Sequence, residues 1–396
     1  MKKTNIAVSP YNFLPEVFGD FKLPDKIVIY DSTLRDGEQM PGVSFSPEQK
    51  LAIANKLDEI GVPEIEAGFP AISKMEKDSI KKISNSGLDA KILCLSRLKR
   101  EDIDAAIASD VDIVLLFIAS SDLHIKHKLH YSKSEIKNKI IDSIEYASDH
   151  GLNPSFSTED STRSSLDFLE ELSILAQKNG AKRIGFTDTV GCAIPQSIQY
   201  LFSYMKKRLS LPISAHLHND FGLGLINAIT ALNAGATHVC TTINGWGERA
   251  GNVPLEQLVL ALNVLYKKDL GIDTTQLLNL SDMISKFTKI PTPKMQPVIG
   301  SNVFTHESGI HVAAILENPS TYEPIPPELV GNKRKLVLGK HSGRHMIKKI
   351  LEKYNLDSNE DLISDMVLKV KDFGERFGNM SEEQINEIIN KFDRDK

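Results

Sequence analysis

Residues 154–189 read PSFSTEDSTRSSLDFLEELSILAQKNGAKRIGFTDT. A short strand-like run (154–160) comes first. SLDFLEELSILAQKNG (165–180) follows, with apolar residues recurring at three and four positions, as on an amphipathic helix. A second strand-like run, RIGFTDT (183–189), closes the unit. Strand, helix and strand in succession predict a parallel βαβ unit.

The same rhythm extends in both directions. The strand-like runs are KIVIYD (26–31), EIEAG (64–68), KILCLS (91–96), VDIVLLFIA (111–119), PSFSTED, RIGFTDT, ISAHLHND (213–220) and THVCTTING (237–245). Helix-like segments lie between them. In SPEQKLAIANKLDEIG (46–61), Ser46 with Glu48 reads as a start signal and Gly61 as a stop. Eight such units predict an α/β fold, a (β/α)8 TIM barrel, over residues 26–290, after an N-terminal extension of residues 1–25. The rhythm ends at KIPTPKMQPVIG (289–300), a Pro-rich linker. Residues 291–345, dense in His and Gly, form a linker and a covering subdomain. ILEKYNL, EDLISDMVLKVKDF and SEEQINEIINKF make residues 346–396 a small, mostly helical C-terminal subdomain.

Composition narrows the function classes. The chain has 396 residues, 41% apolar and 25% charged, enough to bury a sizeable core. A net charge of −5 gives no reason to expect nucleic acid or an anionic membrane as a partner. Cys94, Cys192 and Cys240 form no CxxC pair, so neither a disulfide framework nor a zinc ribbon is expected, and a cytoplasmic location fits. No run of about 18 apolar residues occurs, so neither a signal peptide nor a membrane anchor is expected.

Barrel chemistry sits at the C-terminal strand ends, and unusual polar residues cluster there. Strand one runs into Asp31-Ser-Thr-Leu-Arg35-Asp36-Gly-Glu38-Gln39, and strand two ends in Glu66-Ala-Gly68. Strand five ends in Glu159-Asp160, strand six in Asp188, and strand eight leads to Asn252. The clearest signal is His216-x-His218 on strand seven. Residues i and i+2 of a strand face the same side, so both imidazoles can converge on one ion. With Asp36 and Asn252 they make a mixed N/O set suited to Zn²⁺, Mn²⁺ or Mg²⁺. The plainer alternative is two histidines hydrogen-bonded in a polar mouth. Arg35 can offset enolate or oxyanion charge, or form a salt bridge to Asp31, Glu66 or Asp188. Glu159 either orients substrate or pairs with Arg163. Asp188 binds substrate or supports the strand end. His124, His127 and His130 read as a solvated face, the glycines after Asp220 do not form a nucleotide-binding loop, and Cys240 reads as a small core residue.

DSTLRDGEQMPGV (31–43), HLHNDFGL (216–223), NGWGERAGN (244–252), THESGIH (305–311) and LGKHSGR (338–344) together resemble the family of 2-isopropylmalate, homocitrate and citramalate synthases. The resemblance covers about residues 25–345 in the same order. It implies a divalent metal on Asp36, His216, His218 and Asn252, a catalytic Arg35 and Glu159, and small-molecule substrates, acetyl-CoA and a 2-oxo acid. It also implies a homodimer, with His306 and Tyr322 reaching over the site from the segment after the barrel. LGKHSGR and Lys333-Arg-Lys335 resemble parts near the acyl-CoA, the second being equally a solvated patch.

FSTEDS, DTVGCA and NPSTYE point toward homocitrate synthases and 2-oxoglutarate. LLFIASSDLHIKHKL fits the isopropylmalate and citramalate group as well. The chain also ends too soon after LGKHSGR for a leucine-feedback domain. Gln39 and Arg97 are the further substrate-binding candidates, Arg97 for the distal carboxylate of 2-oxoglutarate. A carbon–carbon lyase of the same barrel group and an inactive metal-binding homologue are the readings from other classes.

Overall fold

The computed structural model describes residues 6–19, 21–353, 359–380, 384 and 387. The helix expected in SEEQINEIINKF (381–392) lies outside the described residues apart from Gln384 and Glu387, and so does the end of ILEKYNL. Eight strands close into one parallel barrel: β1 (Val28–Asp31), β2 (Glu64–Glu66), β3 (Lys91–Arg97), β4 (Ile113–Ala119), β5 (Asn153–Glu159), β6 (Arg183–Asp188), β7 (Ile213–Leu217) and β8 (His238–Thr241). β8 returns to β1 in parallel register, Tyr30 opposite Cys240. Such strands are covered on both faces, which explains the unbroken apolar run of β4.

The surrounding helices are α1 (Pro47–Glu59), α2 (Lys74–Ser84), α3 (Arg100–Ile107), α4 (Lys133–Asp149), α5 (Leu166–Lys178), α6 (Pro195–Lys206), α7 (Gly224–Asn233) and α8 (Leu255–Leu265). Their apolar stripes, such as Phe168, Leu169, Leu172 and Ala176 of α5, join the barrel core. Ser46 does cap α1, but its capping-box partner is Gln49, at N3, rather than Glu48. At the barrel floor, buried Arg183 bonds Glu64 at 2.6 Å and Ser155 at 3.2 Å, and lies over the Tyr30 ring.

The compact unit holding the barrel spans Tyr11–Thr292, so much of the expected N-terminal extension belongs to it. The physical reason is aromatic: Phe21 stacks on Tyr266 with ring centroids 5.1 Å apart, and Phe18 packs edge-on against both. A ninth helix, α9 (Leu277–Thr288), completes this unit.

Residues 6–10 and those from Pro293 onward form the second unit. It contains a two-stranded parallel pair, β9 (Thr305–His306) and β10 (Lys335–Leu336), with α10 (Gly309–Glu317), α11 (Arg344–Lys353) and α12 (Glu360–Phe377). The division expected at residue 345 is not a packing boundary here. Val312 and Leu338 from one side share a core with Met346, Ile347, Met366 and Val370 from the other.

One ion cluster fixes the β1 exit to its neighbours. Lys50 of α1 is 2% exposed. Its ammonium reaches Glu38 at 2.6 Å, Glu76 at 2.7 Å and the Leu34 carbonyl at 3.2 Å. Glu76 in turn accepts from the Phe69 backbone N–H at 3.2 Å. Removing one partner of a buried ion pair costs about 3–5 kcal/mol. Lys50→Met should therefore lower the unfolding free energy by about that much, as measured by urea titration. A loss below about 1 kcal/mol would show that the pair behaves as a surface one.

Candidate active site

Asp31 ends β1 and anchors the turn that follows. Its carboxylate accepts from the Thr33 N–H at 3.0 Å and the Thr241 hydroxyl at 3.1 Å. Burial pushes its pKa up to about 6, against the pull of the Thr33 and Thr241 hydrogen bonds. The chain then presents Arg35 and Asp36. Of the three carboxylates offered to Arg35 by the sequence, Glu66 takes it, at 3.0 Å, and Asp36 lies at 3.2 Å. Glu66 is fully buried and also accepts from the Ser32 hydroxyl at 2.5 Å.

His216 and His218 arrive at the same place from β7. Their Nε2 atoms are 3.3 Å apart, and they lie 3.1 and 3.6 Å from Asp36 Oδ2. Ligand atoms of Asp36, His216 and His218 all fall within 4.8 Å of one another. Asn252 joins the group through an isolated bridge to His218. Its Nδ2 donates to the Trp246 carbonyl at 3.2 Å, while its Oδ1 is buried without a donor. Asp36 Oδ1 is buried and unpartnered as well. Gly247, at φ +154°, permits this closeness: a Cβ there would overlap Asn252 Nδ2 and stand 3.1 Å from Asp36 Oδ1.

Protonation states suit cation binding. Burial opposes charge on Asp36, but Arg35 and the two imidazoles outweigh it and hold the carboxyl well below the usual range. Burial and the neighbouring His216 lower His218 to about 4, leaving a neutral imidazole with a lone pair to give. Two acceptor oxygens without donors beside two imidazole nitrogens fit a divalent cation with mixed N/O ligands.

A cavity of about 290 Å³ opens over this cluster. Of the sequence-derived candidates, Arg35, Asp36, Gln39, Glu159, His216 and His218 are on its wall. Glu159 pairs with Lys128, at 2.6 and 2.8 Å, and not with Arg163, which serves Asp160 at 2.8 Å. Leu95, Leu115 and Phe117 make an apolar side.

The barrel's two other substrate-binding candidates lie elsewhere. Arg97 is not on the wall: Asp102, in the first turn of α3, captures its guanidinium at 2.6 and 3.0 Å, and its side chain is 49% exposed. Asp188 is buried and supports the loop after β6, accepting from Thr162 at 2.8 Å, Cys192 N at 3.2 Å and Ala193 N at 3.1 Å.

Residues 26–284 match the HMGL-like family model, and residues 298–377 match the model described as homocitrate synthase post-HMGL domain-like. The chain belongs to the HMGL-like family. Homocitrate synthase AksA of Methanothermobacter thermautotrophicus is 49% identical, over 96% of this chain and 97% of that protein. A 2-isopropylmalate synthase of Methanocaldococcus jannaschii is 45% identical, over 93% of this chain and 72% of that protein. Among solved structures, a Bacillus subtilis HMG-CoA lyase superposes with a TM-score of 0.63 at 21% identity, covering 68% of this chain and 96% of that one, a likeness of fold.

The post-HMGL segment of this HMGL-like chain has its own polar centre. His306 Nε2 lies 3.1 Å from Glu323 Oε1, and Arg334 clamps the same carboxylate at 2.7 and 2.5 Å. Burial would raise the Glu323 pKa, but Arg334 and His306 hold it below its ordinary value. His306 is thus tied into a largely buried ion cluster. Tyr322 stacks instead on His311, with ring centroids 4.0 Å apart, and both are exposed. Nothing in the sequence of THESGIH separates its second histidine from the first, which only the resemblance singles out. Lys128 carries no sequence signal either. His127 and His130 do face solvent, but His124 lies 3.6 Å from Glu159 and 3.7 Å from Asp160.

The Gly247 contact yields a direct test. Gly247→Ala should weaken Mn²⁺ binding by at least about tenfold in isothermal titration, and the strained φ with the overlap should also lower the melting temperature. Unchanged affinity would mean that the Asn252–Asp36 spacing does not define the site.

Proposed function

We propose that this chain condenses acetyl-CoA with 2-oxoglutarate and hydrolyses the thioester, giving homocitrate and CoA. The observation that carries the chemistry is the convergence of Asp36, His216 and His218, with the unpartnered Asn252 Oδ1 beside them. The choice of 2-oxo acid rests on the homocitrate synthase relatives, which align along nearly their whole length.

Asp36, His216, His218 and Asn252 would hold Mg²⁺, Mn²⁺ or Zn²⁺, which when bound polarises the 2-oxo group. The chain's own residues then have separate tasks. Arg35, kept cationic by Glu66 and Asp36, offsets the charge that develops on the former keto oxygen. Gln39 offers an amide to the substrate carboxylate from the cavity wall. Glu159 orients the reactants. A proton leaves the acetyl methyl, the methyl carbon bonds to the keto carbon, and water then cleaves the thioester to release the thiol of CoA. Proton movement we assign to His311 with Tyr322 rather than to His306, whose Nε2 is occupied by Glu323.

We include a homodimer and a cytoplasmic location in this reading. The three cysteines are free, and among the described residues no helix is long and apolar enough to cross a membrane. A second reading is the same condensation on 2-oxoisovalerate or pyruvate, favoured by the apolar wall of Leu95, Leu115 and Phe117.

CoA release from acetyl-CoA with Mg²⁺ or Mn²⁺ should be fastest with 2-oxoglutarate among 2-oxoglutarate, 2-oxoisovalerate, pyruvate and oxaloacetate. Preference for 2-oxoisovalerate would establish the second reading. Asp36→Ala should abolish both turnover and bound metal. His311→Ala should lower kcat by about 10²-fold or more, with the fold retained. His306→Ala should act mainly by lowering stability, read as a fall in melting temperature. Mixing inactive Asp36→Ala with inactive His311→Ala protein should restore activity if the histidine serves a partner's barrel. No recovery would place both residues in action within one chain.

A further inference from the structure

We propose that Lys128 binds the distal carboxylate of the 2-oxo acid and releases Glu159 as it does so. The inference rests on the functional reading above and deepens it, since Arg97 is withdrawn from the cavity by Asp102. The lysine and arginine side chains on the cavity wall are Arg35, Lys128 and Arg249. Arg35 is committed to Glu66 and Asp36. Arg249 spans the Asp220 carboxylate and the Thr189 carbonyl, at 2.8, 3.1 and 2.7 Å. Lys128 differs from both. It holds one carboxylate, Glu159, and its side chain is 51% exposed.

The backbone under Lys128 is fixed while its side chain is half exposed. Residues Ile125–Leu129 form a single wide helical turn, closed by His130 in the left-handed conformation at φ 57°. Ile125 and Leu129 pack against the barrel core and anchor the turn. A lysine on such an anchor is a compact charge on a flexible four-carbon stem. The lysine end of the pair is half exposed while Glu159 is 18% exposed, so the exchange costs Lys128 little and leaves Glu159 facing the cavity. The exchange frees Glu159 in the same event that seats the substrate. A 2-oxo acid with a single carboxylate offers Lys128 nothing, and Glu159 stays paired. The apolar wall of Leu95, Leu115 and Phe117 has no donor to take the place of Lys128. Sites built to pair a charged group discriminate strongly against analogues that lack it.

The test uses the full-length chain with Mn²⁺ and follows CoA release. Wild-type turnover of 2-oxoglutarate comes first, and its absence would sink the functional reading and this inference together. Given turnover, Lys128→Met should raise the KM for 2-oxoglutarate by about tenfold or more. The KM for acetyl-CoA should not follow. The preference for 2-oxoglutarate over 2-oxobutyrate, taken as a ratio of kcat/KM or of inhibition constants, should fall by a similar factor. Lys128→Arg should restore much of that preference, and Lys128→Gln is read in the same way should the Met variant fold poorly. Equal losses on both 2-oxo acids would overturn the inference and confine Lys128 to holding Glu159. A rise confined to the acetyl-CoA KM would overturn it too, moving the lysine to the phosphates of CoA.

Discussion

Two imidazole nitrogens stand 3.3 Å apart, and both face one buried carboxylate. With His218 held neutral and Asp36 ionised, Arg35 reaches Oδ2 of that carboxylate, and Oδ1 has no donor among the described residues. Asn252 Oδ1 adds to the deficit. Much of the local architecture follows from maintaining this arrangement. The alternation of β7 aims both imidazoles one way. The exit from β1 delivers Asp36 between them, and Gly247 leaves room for Asn252 to approach. A barrel mouth suits this crowding, because eight strand ends converge while the apolar helices outside carry the fold's stability.

The β1 exit is braced from two sides by cations of opposite purpose. Arg35 faces inward, balancing Asp36 against the fully buried Glu66. Lys50 sits behind the same loop, fastening Glu38 and Glu76 and reaching the carbonyl of Leu34, the residue before Arg35. A loop that must present a carboxylate to a cation within a few tenths of an ångström is served by such bracing.

Periodicity carried most of the fold, because eight apolar runs alternating with amphipathic segments leave few other arrangements. It also carried His216 and His218, since facing along a strand is a local property. What was not legible depended on capture by a neighbour. Arg97 stands at the end of β3, as a substrate-binding arginine would, yet Asp102 five residues later takes its guanidinium. His306 and His311 are equivalent by composition within THESGIH, and only the folded chain ties one to Glu323 and stacks the other on Tyr322. Gln49 rather than Glu48 completes the cap of α1 because the reciprocal bond requires position N3. The histidine-rich segment 124–130 reads as solvated by composition, yet the folded chain brings His124 and Lys128 to Glu159.

Lys50 and Lys128 show how burial assigns different roles to the same pair of groups. Each is a lysine on a glutamate at about the same distance, 2.7 Å for Lys50–Glu76 and 2.6 Å for Lys128–Glu159. The Lys50 side chain is 2% exposed and that of Lys128 is 51% exposed. Breaking the first pair strands charge where water cannot reach it, at about 3–5 kcal/mol. Breaking the second returns the lysine to water, while Glu159, 18% exposed, is left facing the cavity. A pair of the first kind can hold a loop but cannot exchange partners during turnover. A pair of the second kind has a lysine that water already reaches, and that access is what allows an entering carboxylate to displace its partner.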